Sequence, residues 1–539
     1  MDQPLLFNDY TSKSPCSYYS HTKPLVKIGQ SYGRPTKPSN YQEIMVSSIG
    51  GFGRTQAFIL ASCSLTKFFI ASSMIMMSFG GAEPDWWIES VKYNSTDNTT
   101  TITRQLKKCP TNNNETIFFD DTMFTIVSEW SLVCSRDWIP TVITTVQMVG
   151  VLLGAGIMGP LGDLIGRKRS VLLVYVVDLV LILLIGLSVN WHMMAVVILF
   201  LGFSLGGFLV LVSVYALEFI STEWRTIMGI VPIIAWGIGV VLFGIAIKII
   251  PHWRHLCYTI AGLGAPFAVM LWYSPESLRW LFIHGKKEEG IKSLRKIAKA
   301  NRRPEPDIMS TKKLLEESFK PDKSSAAKYS YFVLLKRVTT RYKIIIFSYM
   351  WFNCAFTYYA LTLGVSDLSG DMTLNMTLMG LGESICLVFV YLLTKCLGRR
   401  YTTMFLFICT SLSSFGVTIA YFSSTSKFEL AMNVLALTSR FFLAAAWGSL
   451  IIFTTESFPT IVRSSAFGFA SVFGRVGGII APQNKFLRKV SVHLPFTVNG
   501  TLALISGLLC LFLMNTHDIP MEDHFQEERT NHSQEEAEL

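Results

Sequence analysis

Runs of about twenty mostly apolar residues, the length a helix needs to cross a bilayer, recur along this chain of 539 residues. About twelve segments meet that criterion. They are residues 55–78, 140–161, 170–189, 193–217, 227–249, 256–273, 343–363, 374–395, 402–422, 430–453, 465–483 and 495–514. Composition excludes a water-soluble globule. Charged residues make up 16% of the chain and mean hydropathy is +0.41, where a soluble protein carries roughly 25% charge. The expected class is an all-α membrane protein with twelve transmembrane helices in two six-helix bundles.

A net charge of +10 would suit a nucleic-acid binder, but its placement argues otherwise. Lys and Arg crowd residues 284–343 and the first 54 residues, while 80–138 is rich in Asp and Glu. Loops rich in Lys and Arg stay in the cytosol. Both termini and the central loop are therefore expected inside, as an even number of spans requires. The expected divisions are a cytosolic segment 1–54, a first bundle 55–283 with an outer loop 79–138, a cytosolic basic loop 284–342, a second bundle 343–515 and an acidic cytosolic tail 516–539. The first 50 residues hold no apolar core of signal-peptide length, so the first span is expected to direct insertion. Most of the ten cysteines sit inside apolar runs. Cys109 and Cys134 both lie in the outer loop, in an oxidising compartment, and are expected to form a disulfide. The same loop carries glycosylation sequons at Asn94, Asn98 and Asn114, which have meaning only outside.

The chain repeats itself across the basic loop. "GPLGDLIGRKR", residues 159–169, stands between spans 2 and 3, and "LGRR", 397–400, between spans 8 and 9. "EFISTEWR" runs from Glu218 to Arg225 after span 4, and "ESFPTIVR" from Glu456 to Arg463 after span 10. A parallel internal repeat with matching turns is the layout of two-bundle secondary transporters, which hold substrate between their halves. In the first copy, glycines permit a tight turn. Asp163 is expected to face the positive N-terminal end of a helix in the other half, and Arg167 to bond an acidic residue such as Glu218. Such pairs would close the cytosolic side. The plain alternative is that these charges only set topology. The second copy has Lys395 where the aspartate would stand, so unequal closure by the two halves is expected.

These motifs resemble those of a known group. "GxxxDxxGRK" at 159–168 is similar to the signature of the major facilitator superfamily, and "SPESLRWL", 274–281, to a motif of sugar porters and organic-ion transporters. The long outer loop with its sequons, "EWSLVC" at 129–134, "ESFPTIVRSSAFG" at 456–468 and "IGGFGRTQ" at 49–56 narrow the likeness. Together they resemble the organic cation, organic anion and carnitine transporters, solute carrier family 22, from about residue 41 to 515. The resemblance implies a plasma-membrane carrier of small organic ions working by alternating access. Three features depart from it: fewer cysteines in the outer loop than the family usually has, "NTHDIPMED" after the last span, and the unusually polar "PQNKFLRKVSVHLP", 482–495.

Ionisable residues inside the spans are few: Lys67, Asp178, Lys248, Glu383, Arg440 and Arg475. A central arginine costs about 2.5–3.5 kcal/mol on insertion scales, so it must face water, a partner or a ligand. In the family, the position matching Arg475 is acidic in cation transporters and basic in anion and carnitine transporters. Arg475 is thus a candidate to grip a carboxylate or sulfate; the structural alternative is a salt bridge to Glu383 or a bond to an exposed carbonyl. Glu383 could meet a cationic group, couple to a proton or sodium ion, or pair with a basic residue. A zwitterion such as carnitine would use both. Where anion exchangers carry a second basic residue this chain has Leu387; Lys67 is the candidate to compensate, the alternative being that it snorkels to the interface. The resemblance carries Tyr358 and Tyr359 over as substrate-facing rings, with Trp236 and Trp447 near other ring-lined positions; the alternative is ordinary packing.

No metal-spaced Cys/His set, nucleophile elbow or Walker A loop is present, so neither an enzyme, a cofactor nor direct ATP drive is expected. Transport would draw on the substrate's gradient, a coupled ion or an exchanged solute. A channel would not need the paired motifs. A sugar porter is the runner-up, but its Gln- and Asn-rich helices are missing here and Gln147 stands nearly alone.

Overall fold

The computed structural model describes residues 49–94, 99–110, 116–220, 224–304, 338–423 and 428–514. Asn98, Asn114, most of the N-terminal segment, residues 305–337 and the acidic tail lie outside the described residues. The first set of long helices comprises α1 (Arg54–Gly80), α2 (Ile139–Ile165), α3 (Arg167–Gly186), α4 (Trp191–Leu217), α5 (Arg225–Ile249) and α6 (Trp253–Tyr273). The second comprises α7 (Val338–Leu363), α8 (Met372–Phe422), α9 (Phe428–Glu456), α10 (Thr460–Ile480), the short α11 (Asn484–Val490) and α12 (Leu494–Leu509). Among the described residues, eleven helices are long and apolar enough to cross a membrane.

The runs at 374–395 and 402–422 follow each other without a loop, as the two arms of α8, 51 residues in all. Gly398 interrupts it with φ 76° and ψ 173°, a conformation open to glycine, and so divides it into two rods.

The outer loop is not all loop. It holds β1 (Trp86–Asn94), β2 (Thr99–Leu106) and β3 (Thr116–Phe119), an antiparallel sheet in the order β2-β1-β3. Its residues have the signature of strands: Trp86 and Ile88 alternate into the core while "TTTIT" supplies β-branched side chains. Asn94 ends β1. Cys109 and Cys134 are joined by a disulfide across this region. Glu129 anchors the region to α6, accepting from Trp253 Nε1 at 2.8 Å and pairing with Arg254 at 2.5 Å. That contact gives "EWSLVC" a structural reason. The sheet marks one end of the helices; the turn between α2 and α3 marks the other.

Small residues let helices touch at backbone distance. Gly150 and Gly154 of α2 face Gly202 and Gly206 of α4, and a Cβ on Gly154 would stand 1.9 Å from the Phe203 carbonyl oxygen. No side chain can yield there, because the obstacle is backbone. Gly154→Val is expected to destabilise the protein by more than about 4 kcal/mol, the range of severe overpacking, and to abolish recovery of monodisperse protein on size-exclusion chromatography. The two sets meet mainly through α5 with α8, α2 with α10, and α1 with α7.

Candidate functional site

The ionisable residues of the spans do not fall into the pairs that their positions suggest. Glu383 of α8 is buried and bonds Arg440 of α9, Nη2 to Oε2, at 2.9 Å. Tyr358 of α7 donates its hydroxyl to the same carboxylate at 3.1 and 3.2 Å, and Trp236 of α5 donates Nε1 to that hydroxyl oxygen at 3.0 Å. The Arg440 guanidinium also lies 3.7 Å from the centre of the Tyr358 ring and donates from Nε to Thr362 at 3.3 Å. Trp447 stands edge-on to Tyr358 with centroids 5.4 Å apart. A carboxylate in a low-dielectric interior must be neutralised, and Arg440 does this. Glu383 is therefore not a free anion, and Tyr358 is buried with its hydroxyl committed. The bond from Trp236 to Tyr358 joins the two helical sets.

Arg475 behaves differently. It makes no ion pair with any described residue, and its Nε is buried without a hydrogen-bond partner. The salt bridge to Glu383 weighed from sequence is absent, since Arg440 occupies that carboxylate. The electrostatic neighbour of Arg475 is Tyr359. Gly478, one turn along α10, admits that ring: a Cβ there would sit 3.2 Å from Tyr359 Cδ2. Lys67 likewise lacks an ion-pair partner among the described residues. Lys67, Trp236, Tyr359, Trp447 and Arg475 are all half-buried rather than sealed. Gln147 departs from expectation. It is fully buried in the first set, held by Nε2 donating to the carbonyls of Ser73 and Met74 of α1 at 3.3 Å. Asp178 is also internal, accepting from Ser73 at 3.1 Å.

At the end opposite the sheet, the repeated motifs converge. Arg167 pairs with Glu218 at 3.2 Å and with Asp163 at 2.5 Å. Ser277 donates to the second oxygen of Glu218, Glu276 accepts from the Lys168 amide at 2.8 Å, and Trp280 donates to the Asp163 carbonyl at 2.6 Å. "SPESLRWL" thus locks onto "GPLGDLIGRKR". Among the described residues, Asp163 makes its ion pair within its own half and not with a helix terminus of the other. Its side chain is 61% exposed and spent on Arg167, one helical turn away. The second copy retains more than its sequence suggests: Arg399 pairs with Glu456 at 3.1 Å. Gly166 and Gly398 both have positive φ, 118° and 76°, and each places the following arginine against its glutamate. The exposed Lys395 changes only the outer member of the set. Arg225 begins α5, and Arg463 donates Nε to the Phe458 carbonyl at 3.3 Å.

Residues 91–523 match the family described as "Sugar (and other) transporter". Solute carrier family 22 member 7 of Rattus norvegicus is 31% identical over 412 residues, covering 76% of this chain and 76% of the relative. The chain belongs to solute carrier family 22. An organic cation transporter-like protein of Drosophila melanogaster is 28% identical over 406 residues, covering 73% of this chain and 71% of that one. Among solved structures, the inward-open conformation of the xylose transporter XylE from E. coli aligns with a TM-score of 0.62 at 15% identity, over 86% of this chain and 97% of that one. The fold is therefore that of the major facilitator superfamily. The protein is a multi-pass membrane protein and a secondary transporter of small organic ions that works by alternating access, not an enzyme.

Sequence reasoning missed one residue of the transporter's central network. Arg440 stood among the intramembrane charges without a role. A lone arginine in an otherwise apolar run and a lone glutamate in the neighbouring run were the available signal for a pair. Nothing in the linear sequence says which arginine takes Glu383; the crossing of α8 and α9 decides that.

Proposed function

We propose that the transporter carries small organic anions, and that Arg475 holds the carboxylate or sulfate in a hydrated chamber between the two helical sets. The carrying observation is that Arg475 has no ion-pair partner among the described residues, whereas the Glu383 charge is already met by Arg440. Lys67 adds a second cation without an ion-pair partner among the described residues, while Asp178 is bonded to Ser73. A guanidinium fork matches a carboxylate in two parallel hydrogen bonds, and the half-buried faces of Tyr359 and Trp447 offer a surface for a flat substrate body. Gln147 and Tyr358 have no part in this reading.

A zwitterion of the carnitine type is the second reading. Its ammonium group would rest on ring faces by cation–π attraction, since Glu383 is engaged. A simple organic cation is least favoured, because Glu383, the carboxylate beside the rings, is held by Arg440.

In this account α8 crosses twice, giving twelve spans in two six-helix bundles that rock about the central site. The sheet lies outside a plasma membrane, where Asn94, Asn98 and Asn114 carry glycans, and both termini are cytosolic. The Arg167–Glu218 and Arg399–Glu456 pairs brace the cytosolic helix ends as the halves move. Glu218→Gln is expected to lower uptake about tenfold, the equivalent of losing about 1.4 kcal/mol from a charge-assisted bond. Unchanged uptake at equal surface abundance would remove these pairs from the mechanism.

The reading is tested by uptake of labelled carnitine, a dicarboxylate, urate and tetraethylammonium in one cell line. Accumulation of an anion or of carnitine without tetraethylammonium is the expected pattern. Accumulation of tetraethylammonium alone would reverse the charge assignment.

A further inference from the structure

The polar stretch "PQNKFLRKVSVHLP" has no part in the central site. It folds as a 3₁₀ turn, Ala481–Gln483, followed by α11. This element reaches the first helical set: Gln483 donates to Thr145 at 3.1 Å, and Lys489 pairs with Asp137. Lys485 stands 3.9 Å from Glu83, the outer limit of an ion pair. Beneath it lies a cavity of about 120 Å³ with walls from both sets, including Thr141 of α2 and Leu361 of α7. Neither Arg475, Tyr359, Glu383 nor Trp447 lines it.

Two buried amides point to a ligand, in a wall that also carries Lys485, Arg488 and Glu83. Asn499 of α12 lines the cavity, is fully buried, and has neither Nδ2 nor Oδ1 hydrogen-bonded. Asn484 lines it too, and its buried Oδ1 is also without a partner. Leaving a buried polar group unpaired costs about 1–3 kcal/mol, so two amides facing one cavity call for an occupant that completes them. Leu361 and Phe496 supply apolar wall beside them.

We infer that this cavity is a second anion site, taking an organic carboxylate or sulfate with a small apolar body. The acid group lies toward Lys485 and Arg488, the Asn499 amide donates to it, and the body rests against Leu361 and Phe496. Because the walls come from both helical sets, an occupant holds the sheet end of the molecule closed and must leave before that end can open. The site does not depend on the role given to Arg475.

The test is equilibrium binding of labelled phenyl sulfate to the purified full-length protein in lipid nanodiscs. The proteins compared are wild type, Arg475→Ala, Lys485→Gln/Arg488→Gln and the combination of all three. Two saturable sites are expected in wild type, one in each partial variant and none in the combination. The site kept by Lys485→Gln/Arg488→Gln also reports that this variant is folded. Asn499→Leu in the Arg475→Ala background removes the amide without adding charge and is expected to weaken the remaining site about tenfold, as loss of a charge-assisted bond does. No saturable binding in wild type, or no binding that survives Arg475→Ala, would overturn the inference. Loss of all binding in Lys485→Gln/Arg488→Gln, with none lost in Arg475→Ala, would uphold it and sink the central reading instead.

Discussion

Anion uptake is expected to fall roughly a hundredfold in Arg475→Asp, with tetraethylammonium entering where it did not before. The size follows from the cost of removing one partner of a desolvated charge pair, about 2–5 kcal/mol, of which about 2.7 kcal/mol is a hundredfold in rate. The sign follows from the surroundings. Arg475 has Tyr359 as its electrostatic neighbour and no acidic partner among the described residues. An aspartate there would be a free carboxylate in the chamber, repelling anions and attracting an ammonium ion toward the rings of Tyr359 and Trp447. Arg475→Lys keeps the charge and loses the fork, so its uptake should lie between wild type and Arg475→Asp. Initial rates divided by surface protein give the comparison. Equal anion uptake in all three would detach Arg475 from substrate.

Arg440→Ala acts on stability rather than selectivity. It strips Glu383 of its Arg440 ion pair in a buried site, and uncovering a buried charge costs about 3–5 kcal/mol. It also removes the guanidinium from the Tyr358 ring and its bond to Thr362. Glu383→Gln leaves Arg440 uncompensated in turn. The double variant Glu383→Gln/Arg440→Met buries no charge, so it should be more stable than either single change. Thermal unfolding of detergent-purified protein, followed by size-exclusion profile, measures all three. A double variant no better than the singles would mean that the pair is not coupled as its 2.9 Å bond indicates.

The transmembrane helices were legible because hydrocarbon demands one thing, an apolar run of sufficient length, and the sequence supplies it in plain order. The repeat was legible because Gly166 and Gly398, with the arginines after them, serve the same turn. Other features depend on which helices cross. Glu383 lies in one run and Arg440 in another, and only the α8–α9 approach pairs them. Gln147 reads as available in the sequence, but the carbonyls of Ser73 and Met74 on α1 take up its amide. The outer sheet was hidden for a different reason: its short strands sit among acidic and sequon residues that read as loop, and only the alternation of Trp86 and Ile88 marked them. The segment at 482–495 was visible as an anomaly of composition, but its reach across to Thr145 and Asp137 was not.

The most direct measurement is a cryo-electron microscopy structure of the protein holding an anion that it transports. The account predicts the acid group of that anion about 2.8 Å from the terminal nitrogens of Arg475, the distance of a charge-assisted bond, with Glu383 still on Arg440. A substrate bound elsewhere in the central chamber, with Arg475 turned to lipid or onto a protein carboxylate, would contradict it.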